Sequence, residues 1–428
     1  MKKQLVAVIM MTLILSALFI VQVFAQKIDT IDGVRVVHNE KPKLDDKQAL
    51  RLEFSQKIGG LDATDDAYTL YLPTDMAKDS EGNIYVFDKG NFRVQKYNAG
   101  GEYLTSFGRE GYGPGEFSFR VHFAMKENEH IVIYDDITNL LHEFQPDGKL
   151  VDSKRMNIRL SDMRFLSTGD ILLPVPNNES SAGFGRMQFS GRLIFPPDRF
   201  AEMASRAKNA SLFTIHTLDG KEKSSFGKLR DYPADHMIFN MNKLFFTTDA
   251  NGNIYATFLY QNRIDKYSPE GKLLFSCDRE LNFRETKPDD LKKVKIVTEN
   301  MGGGVVGRSV EEPSLILMSV SQSIAVDAQE RIWVATFRRQ LKTPDEIASS
   351  GQWTYKVDDF NKITVNQITY KSDTTDLYQL EVFDAEGVLL CIIPINLYVS
   401  KMYIYGDKLY IVDEKGGMQV VEYSIIEP

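Results

Sequence analysis

Pro73-Thr74-Asp75-Met76-Ala77-Lys78-Asp79-Ser80-Glu81-Gly82-Asn83-Ile84-Tyr85-Val86-Phe87-Asp88 reads as two short strands joined by a turn at Glu81-Gly82-Asn83. The second strand is apolar at nearly every position from Ile84 to Phe87, which suits a strand buried on both faces. The chain continues through Asn91-Phe92-Arg93-Val94-Gln95-Lys96-Tyr97 to a turn at Gly100-Gly101. It then runs Glu102-Tyr103-Leu104-Thr105-Ser106-Phe107-Gly108. The whole is a unit of four short antiparallel strands separated by turn residues.

The same unit recurs along the chain. Its clearest other copies carry Asp249-Ala250-Asn251-Gly252-Asn253-Ile254-Tyr255 and Ser323-Ile324-Ala325-Val326-Asp327. Further copies begin at His122, Asp162 and Lys401. In five units an aromatic residue, or His216 in its place, stands four residues before a turn glycine. These glycines are Gly101, Gly148, Gly220, Gly271 and Gly387, and each calls for a position of positive φ. Repetition at a period near forty residues or more means an array of units, none of which buries its apolar face alone. The sixth unit has no fourth strand after Tyr423. The segment Leu50–Gly60 resembles the fourth strand of the first unit, so it is expected to complete the sixth and close a ring with few exposed edges.

These units resemble NHL repeats, and the whole is similar to the six-bladed β-propellers of secreted bacterial proteins. The resemblance runs over residues 50–428 and is clearest in units one and four. It implies an all-β fold, a six-bladed β-propeller of four-stranded antiparallel blades. Propellers of this broad group include binding modules, scaffolds and a few lyases or hydrolases, so the fold implies little about chemistry.

The N-terminus supplies the compartment. A basic start at Lys2-Lys3, an apolar run from Leu5 to Ala25, and Val23-Phe24-Ala25 before Gln26 read as a secretory signal over residues 1–25. The run is also long enough for a retained anchor. The expectation is an exported protein, periplasmic or extracellular, with a membrane-anchored form as the alternative and no membrane span after signal cleavage. No cysteine lies near the cleavage point, which argues against a lipid anchor. The net charge of -8 argues against nucleic acid as a partner. Cys277 and Cys391 fall on fourth strands of neighbouring units and are expected to be free thiols. Residues 26–49 form an N-terminal extension, with a small hairpin around Ile31-Asp32-Gly33-Val34 and then a polar linker lying along the surface or mobile.

Three insertions interrupt the units, at 174–211, 279–320 and 339–377. Strands alternate direction within a unit. Loops between second and third strands therefore emerge on the same face as loops between units, and all three insertions share it. The loop Gly108–Phe117 joins units one and two on that face as well. Rigid scaffolds commonly carry function on such loops. The binding candidates there are Arg109, Tyr112, Arg186, Arg192, Arg308, Trp353 and Tyr355, with Arg199 and Arg206 beside them. A helix start is expected at Pro288–Val294, and a second short helix from Phe200 to Ala207.

The second candidate is the axis. One residue per unit occupies the same point on the innermost strand: Asp75, His122, Asp162, Phe245, Ser323 and Lys401. The polar members Asp75, His122, Asp162, Ser323 and Lys401 are candidates for an axial binding channel, interrupted by Phe245 and Lys401. Two carboxylates and a histidine are a donor set for a divalent metal. Related propellers with lyase activity use several axial histidines, whereas here only His122 falls on the innermost strand. No GxSxG, HExxH or Walker signature is present. Asp79, Asp249 and Asp327 precede the first turn of their units and are read as turn caps. The leading expectation is a non-catalytic module that binds a protein, peptide or glycan of the cell envelope through the insertion-bearing face, with no cofactor. The alternative is a metal-dependent lyase or hydrolase working at the axis. A third reading is a structural subunit of an envelope assembly.

Overall fold

The repeats become six four-stranded antiparallel sheets, the blades of a propeller. The computed structural model describes residues 26–156, 158, 160, 162–175, 205–206, 209–233, 238–293, 295–300, 306–311, 317–340, 354–357, 363–366 and 374–428. The signal-like segment 1–25, together with Arg186, Arg192, Arg199, His236 and Trp353, lies outside them.

Blade one runs outward from the axis through Pro73–Lys78, Ile84–Asp88, Arg93–Tyr97 and Tyr103–Phe107. The innermost strands of the other blades are Val121–Met125, Arg164–Phe165, Leu244–Thr248, Ser321–Val326 and Lys401–Tyr405. The second strands are buried at every position in blades one, two, four and five, because each packs on both neighbouring blades. Between blades one and two, Phe87 stacks on Phe123 with ring centroids 6.0 Å apart, beside Ile131 and Phe144. Each such side chain contributes about 1.5–3 kcal/mol of apolar burial, so the blades hold one another. The five turn glycines have φ between 80° and 87°, the left-handed region their positions require.

Blade six closes the ring. Its fourth strand is Arg51–Gly59, paired antiparallel with Gln419–Ile426 from the other end of the chain. The extension before it adds strands rather than hanging free. Gln26–Ile31 and Val34–Asn39 form a hairpin over Asp32-Gly33, both with positive φ, and the second strand pairs in parallel with Leu273–Arg279 of blade four. Asn39 Nδ2 then donates to the carbonyl oxygens of Asp278 and Gly387, and Asn39 Oδ1 accepts from the Leu389 N–H. The N–H groups of Lys43 and Leu44 donate to Leu389 and Leu390. Residues 26–59 thus strap the outer edges of blades four, five and six.

Two insertions carry strands of their own that the sequence reading did not anticipate. Lys295–Asn300 pairs with Val306–Glu311, and Thr354–Val357 with Ile363–Asn366. Pro288–Lys293 is helical where a helix start was expected, in the 3-10 form. Of the short helix expected at 200–207, only residues 205–206 are described, and they are helical. Cys277 and Cys391 are free and buried.

Candidate functional site

The innermost strand of each blade begins on the face that carries the inter-blade loops and insertions. Its first polar residues therefore stand at the mouth of the central channel on that face. Three of the five axial candidates meet there. Lys401 of blade six donates its ammonium to Asp75 Oδ2 of blade one, and its Nζ lies 3.3 Å from Asp162 Oδ2 of blade three. Asp75 Oδ1 accepts from the Tyr403 hydroxyl and from the Met76 N–H, and Asp162 Oδ1 accepts from the Met163 N–H. Lys401 does not interrupt the ring, as the sequence suggested; its long stem carries the charge to the point where the two carboxylates converge.

Blades three and six are opposite one another in a ring of six, so the Asp162–Lys401 pair spans the axis. A second contact spans it one step deeper. Arg164, two residues beyond Asp162, places its guanidinium 5.3 Å from the centre of the Tyr403 ring. Ala77, Ala124 and Ala325 occupy the matching register in three other blades. Tyr405 stacks on Tyr403 at 6.4 Å and 13°. Arg164 and Tyr403 were missed from sequence. The period of two along a strand puts them on the same side as Asp162 and Lys401, and that signal would have found them.

The charges set one another. Burial opposes the charge on Lys401, but Asp162 and Asp75 outweigh it and raise its pKa above the ordinary lysine value. Burial would raise Asp162; Lys401 and then Arg164 hold it below the usual carboxylate range instead. Burial likewise opposes Arg164, and Tyr403, Asp162 and Asp75 raise it. Burial and then Asp75 push the Tyr403 phenol up, and burial pushes Tyr405 up to about 12. No phenol here is poised to ionise at neutral pH.

The other two candidates do different work. His122 turns to blade two's own Asp136, Nε2 to Oδ2 3.3 Å, and Arg120 approaches the same carboxylate at 3.5 Å. Ser323 is buried, and its hydroxyl oxygen accepts the Met402 N–H at 2.9 Å across the junction of blades five and six. Asp75, His122 and Asp162 do not form a metal-ligand set: among the described residues no three His, Cys, Asp or Glu side chains are grouped to hold an ion.

On the loop face, Glu116 closes the Gly108–Phe117 loop from within. Its carboxylate accepts from Arg109 Nε and Nη2 at 2.9 and 2.7 Å, and from the N–H groups of Tyr112 and Gly113. Arg109 is therefore committed to the loop, while Tyr112 is 70% exposed at its tip. Arg308 and Tyr355 sit on the two insertion hairpins, opposite Thr298 and Val365. Arg206 is exposed. Arg186, Arg192 and Trp353 cannot be placed, being outside the described residues.

Comparison with known proteins adds the family. A model described as DUF5128, 6-bladed beta-propeller, matches residues 63–306, and the chain belongs to that family. No curated protein matches it. Among solved structures it is similar to a member of the DUF4221 family from Bacteroides vulgatus ATCC 8482. That likeness has a TM-score of 0.50 and 8% identity, and covers 89% of this chain and 98% of the other. It is also similar to a Bacteroides fragilis NCTC 9343 protein classed by inference as exported. Here the TM-score is 0.51 and the identity 11%, over 92% of this chain and all of the other. At these identities the likeness speaks for the fold alone. Among the described residues no helix is long and apolar enough to cross a membrane.

Proposed function

We propose that this member of the DUF5128 family is an exported, NHL-like propeller that binds a protein, peptide or glycan of the cell envelope through its insertion-bearing face, without catalysis. One observation carries the reading: the axial carboxylates are already taken. Lys401 holds both Asp75 and Asp162, and the Tyr403 hydroxyl donates to Asp75. A lyase or hydrolase site needs an unencumbered base, nucleophile or metal-ligand set. The described axis offers charges that neutralise one another instead. The loop face has the opposite character, with an exposed aromatic at Tyr112 on a loop stiffened by Glu116 and with two insertions that carry hairpins of their own. Exposed tyrosines on rigid loops are efficient contact residues. The basic, apolar segment before Gln26 supports export.

The test compares the mature chain from Gln26 with a form in which residues 341–373 are replaced by a short Gly-Ser link. Both are checked for fold by circular dichroism and then run on peptide and envelope-glycan arrays. The reading expects a saturable interaction that the shortened form loses. An interaction, or a turnover, that survives the shortening and vanishes in Asp75→Ala/His122→Ala would overturn it. Mass spectrometry of the exported chain, showing a start at Gln26, checks the compartment.

A further inference from the structure

Arg164 is the unusual member of the axial cluster. Lys401 has two carboxylates, Tyr403 has Asp75 and His122 has Asp136. Arg164 has the face of the Tyr403 ring. Asp162 and Asp75 are near enough to act on it through space, yet among the described residues no carboxylate lies within ion-pair distance of its guanidinium.

A guanidinium carries five N–H donors in a fixed planar fork and no acceptor. Stacking on an aromatic face uses its π-surface; the Tyr403 hydroxyl oxygen engages the guanidinium as well, and a fork of five donors has more than that contact uses. The side chain is not sealed in the core: Arg164 is half-buried, and its strand borders the channel. Donors on a channel wall that the protein's own acceptors leave unfilled are open to an acceptor delivered down the channel.

We propose that the axial channel is an oxyanion site in which the edge of the Arg164 guanidinium takes a carboxylate of a small ligand, or of a group on a larger one, reaching in from the insertion-bearing face. The fork matches the two oxygens of a carboxylate in one plane. The charge count selects the class. Asp75 and Asp162 balance Lys401 and Arg164, so the cluster is formally neutral. It accepts one negative charge without net repulsion, whereas a dianion meets Asp75 and Asp162 at close range. A monoanionic carboxylate is therefore favoured over a phosphate dianion. The inference goes beyond the proposed function, since it needs none of the insertion residues.

The test is thermal stability of the mature chain against increasing sodium acetate or sodium glucuronate, with ionic strength held constant by sodium chloride, and against inorganic phosphate at pH 8. Wild type, Arg164→Gln, Arg164→Lys and the outer-strand variant Arg51→Gln are compared. The expected result is a saturable upward shift in wild type and Arg51→Gln. Arg164→Lys, which keeps the charge but not the fork, should show roughly tenfold weaker apparent affinity, and Arg164→Gln no saturable shift. Phosphate should act more weakly than either carboxylate. Equal carboxylate responses in wild type and Arg164→Gln would overturn the proposal, as would a stronger response to phosphate. If Arg164→Gln does not fold, Arg164→Lys decides: unchanged affinity there overturns it. Loss of array binding with this response intact would remove the macromolecular partner and leave the oxyanion site standing.

Discussion

Asp75 and Asp79 stand four residues apart on and just beyond the innermost strand of blade one, and they are satisfied in opposite ways. Asp79 is served by its own turn. Its carboxylate accepts from the Asn83 N–H at 2.7 Å, from Asn83 Nδ2 at 2.8 Å and from the Tyr85 hydroxyl at 2.9 Å. Asp249 repeats this with Asn253 and Tyr255, and Asp327 with Arg331 and Trp333. Asp75 is served from the far end of the chain, by Lys401 and Tyr403, more than 300 residues away. Turn carboxylates brace blades one, four and five from within, and axial carboxylates tie blades to one another. The two regions should therefore fail differently.

The largest effect is expected at the axis. Lys401→Met leaves Asp75 and Asp162 without their cation. Removing one partner of an enclosed pair costs about 3–5 kcal/mol, and the partial exposure of Lys401 puts this case near the lower figure. Adding Asp75→Asn should recover part of the loss, a coupling that urea midpoints of the two single variants and the double variant will measure. Simple additivity would break the comparison.

At the turns, Asp79→Ala removes the acceptor of three donors, with an expected cost of about 2 kcal/mol. Asp249→Ala should match it to within about 0.5 kcal/mol because the geometry repeats. A large difference between them would show that the turns are not independent local devices.

The pH dependence sharpens the contrast. Asp162 is depressed, so its contribution is present above the ordinary aspartate range and is lost as pH falls through its lower folded value. Lys401 is raised, so its contribution is present below the ordinary lysine range and is lost as pH climbs through its higher folded value. The stability difference between wild type and Lys401→Met should be flat from about pH 5 to 9 and shrink at both extremes. A step near neutrality would point to a different titrating partner. The smallest effect is expected at the loop tip, where Tyr112→Ala should change stability by no more than about 0.5 kcal/mol while weakening partner binding.

The same contrast explains what the sequence makes legible. The Asp-x-x-Gly-Asn turns at Asp79 and Asp249 close over a handful of residues, so their capping role and the ring of blades could be read directly. The closing strand Arg51–Gly59 was legible because it repeats a pattern already seen at Tyr103–Phe107. The axial positions were legible as a register, but not their partners. Which blade faces which across the axis is a property of the closed ring, and only that puts Lys401 beside Asp162. His122 shows the limit from the other side. Its position on the innermost strand was right, but its partner, Asp136, lies on its own blade, so the metal set of the alternative reading does not assemble among the described residues. The strap on blade four was only half legible: the hairpin shows in Asp32-Gly33, but parallel pairing with Leu273–Arg279 has no local signal.

Lys401 already holds the axial carboxylates, and the proposed binding through the insertion-bearing face rests on that. The most direct test is to equilibrate the mature chain with zinc, manganese and calcium in turn, remove loose ions, and measure bound metal for wild type and Asp75→Ala/His122→Ala. No stoichiometric metal is expected in either. One ion per chain in wild type, lost in the double variant with the fold intact, would contradict it and move the chemistry to the axis.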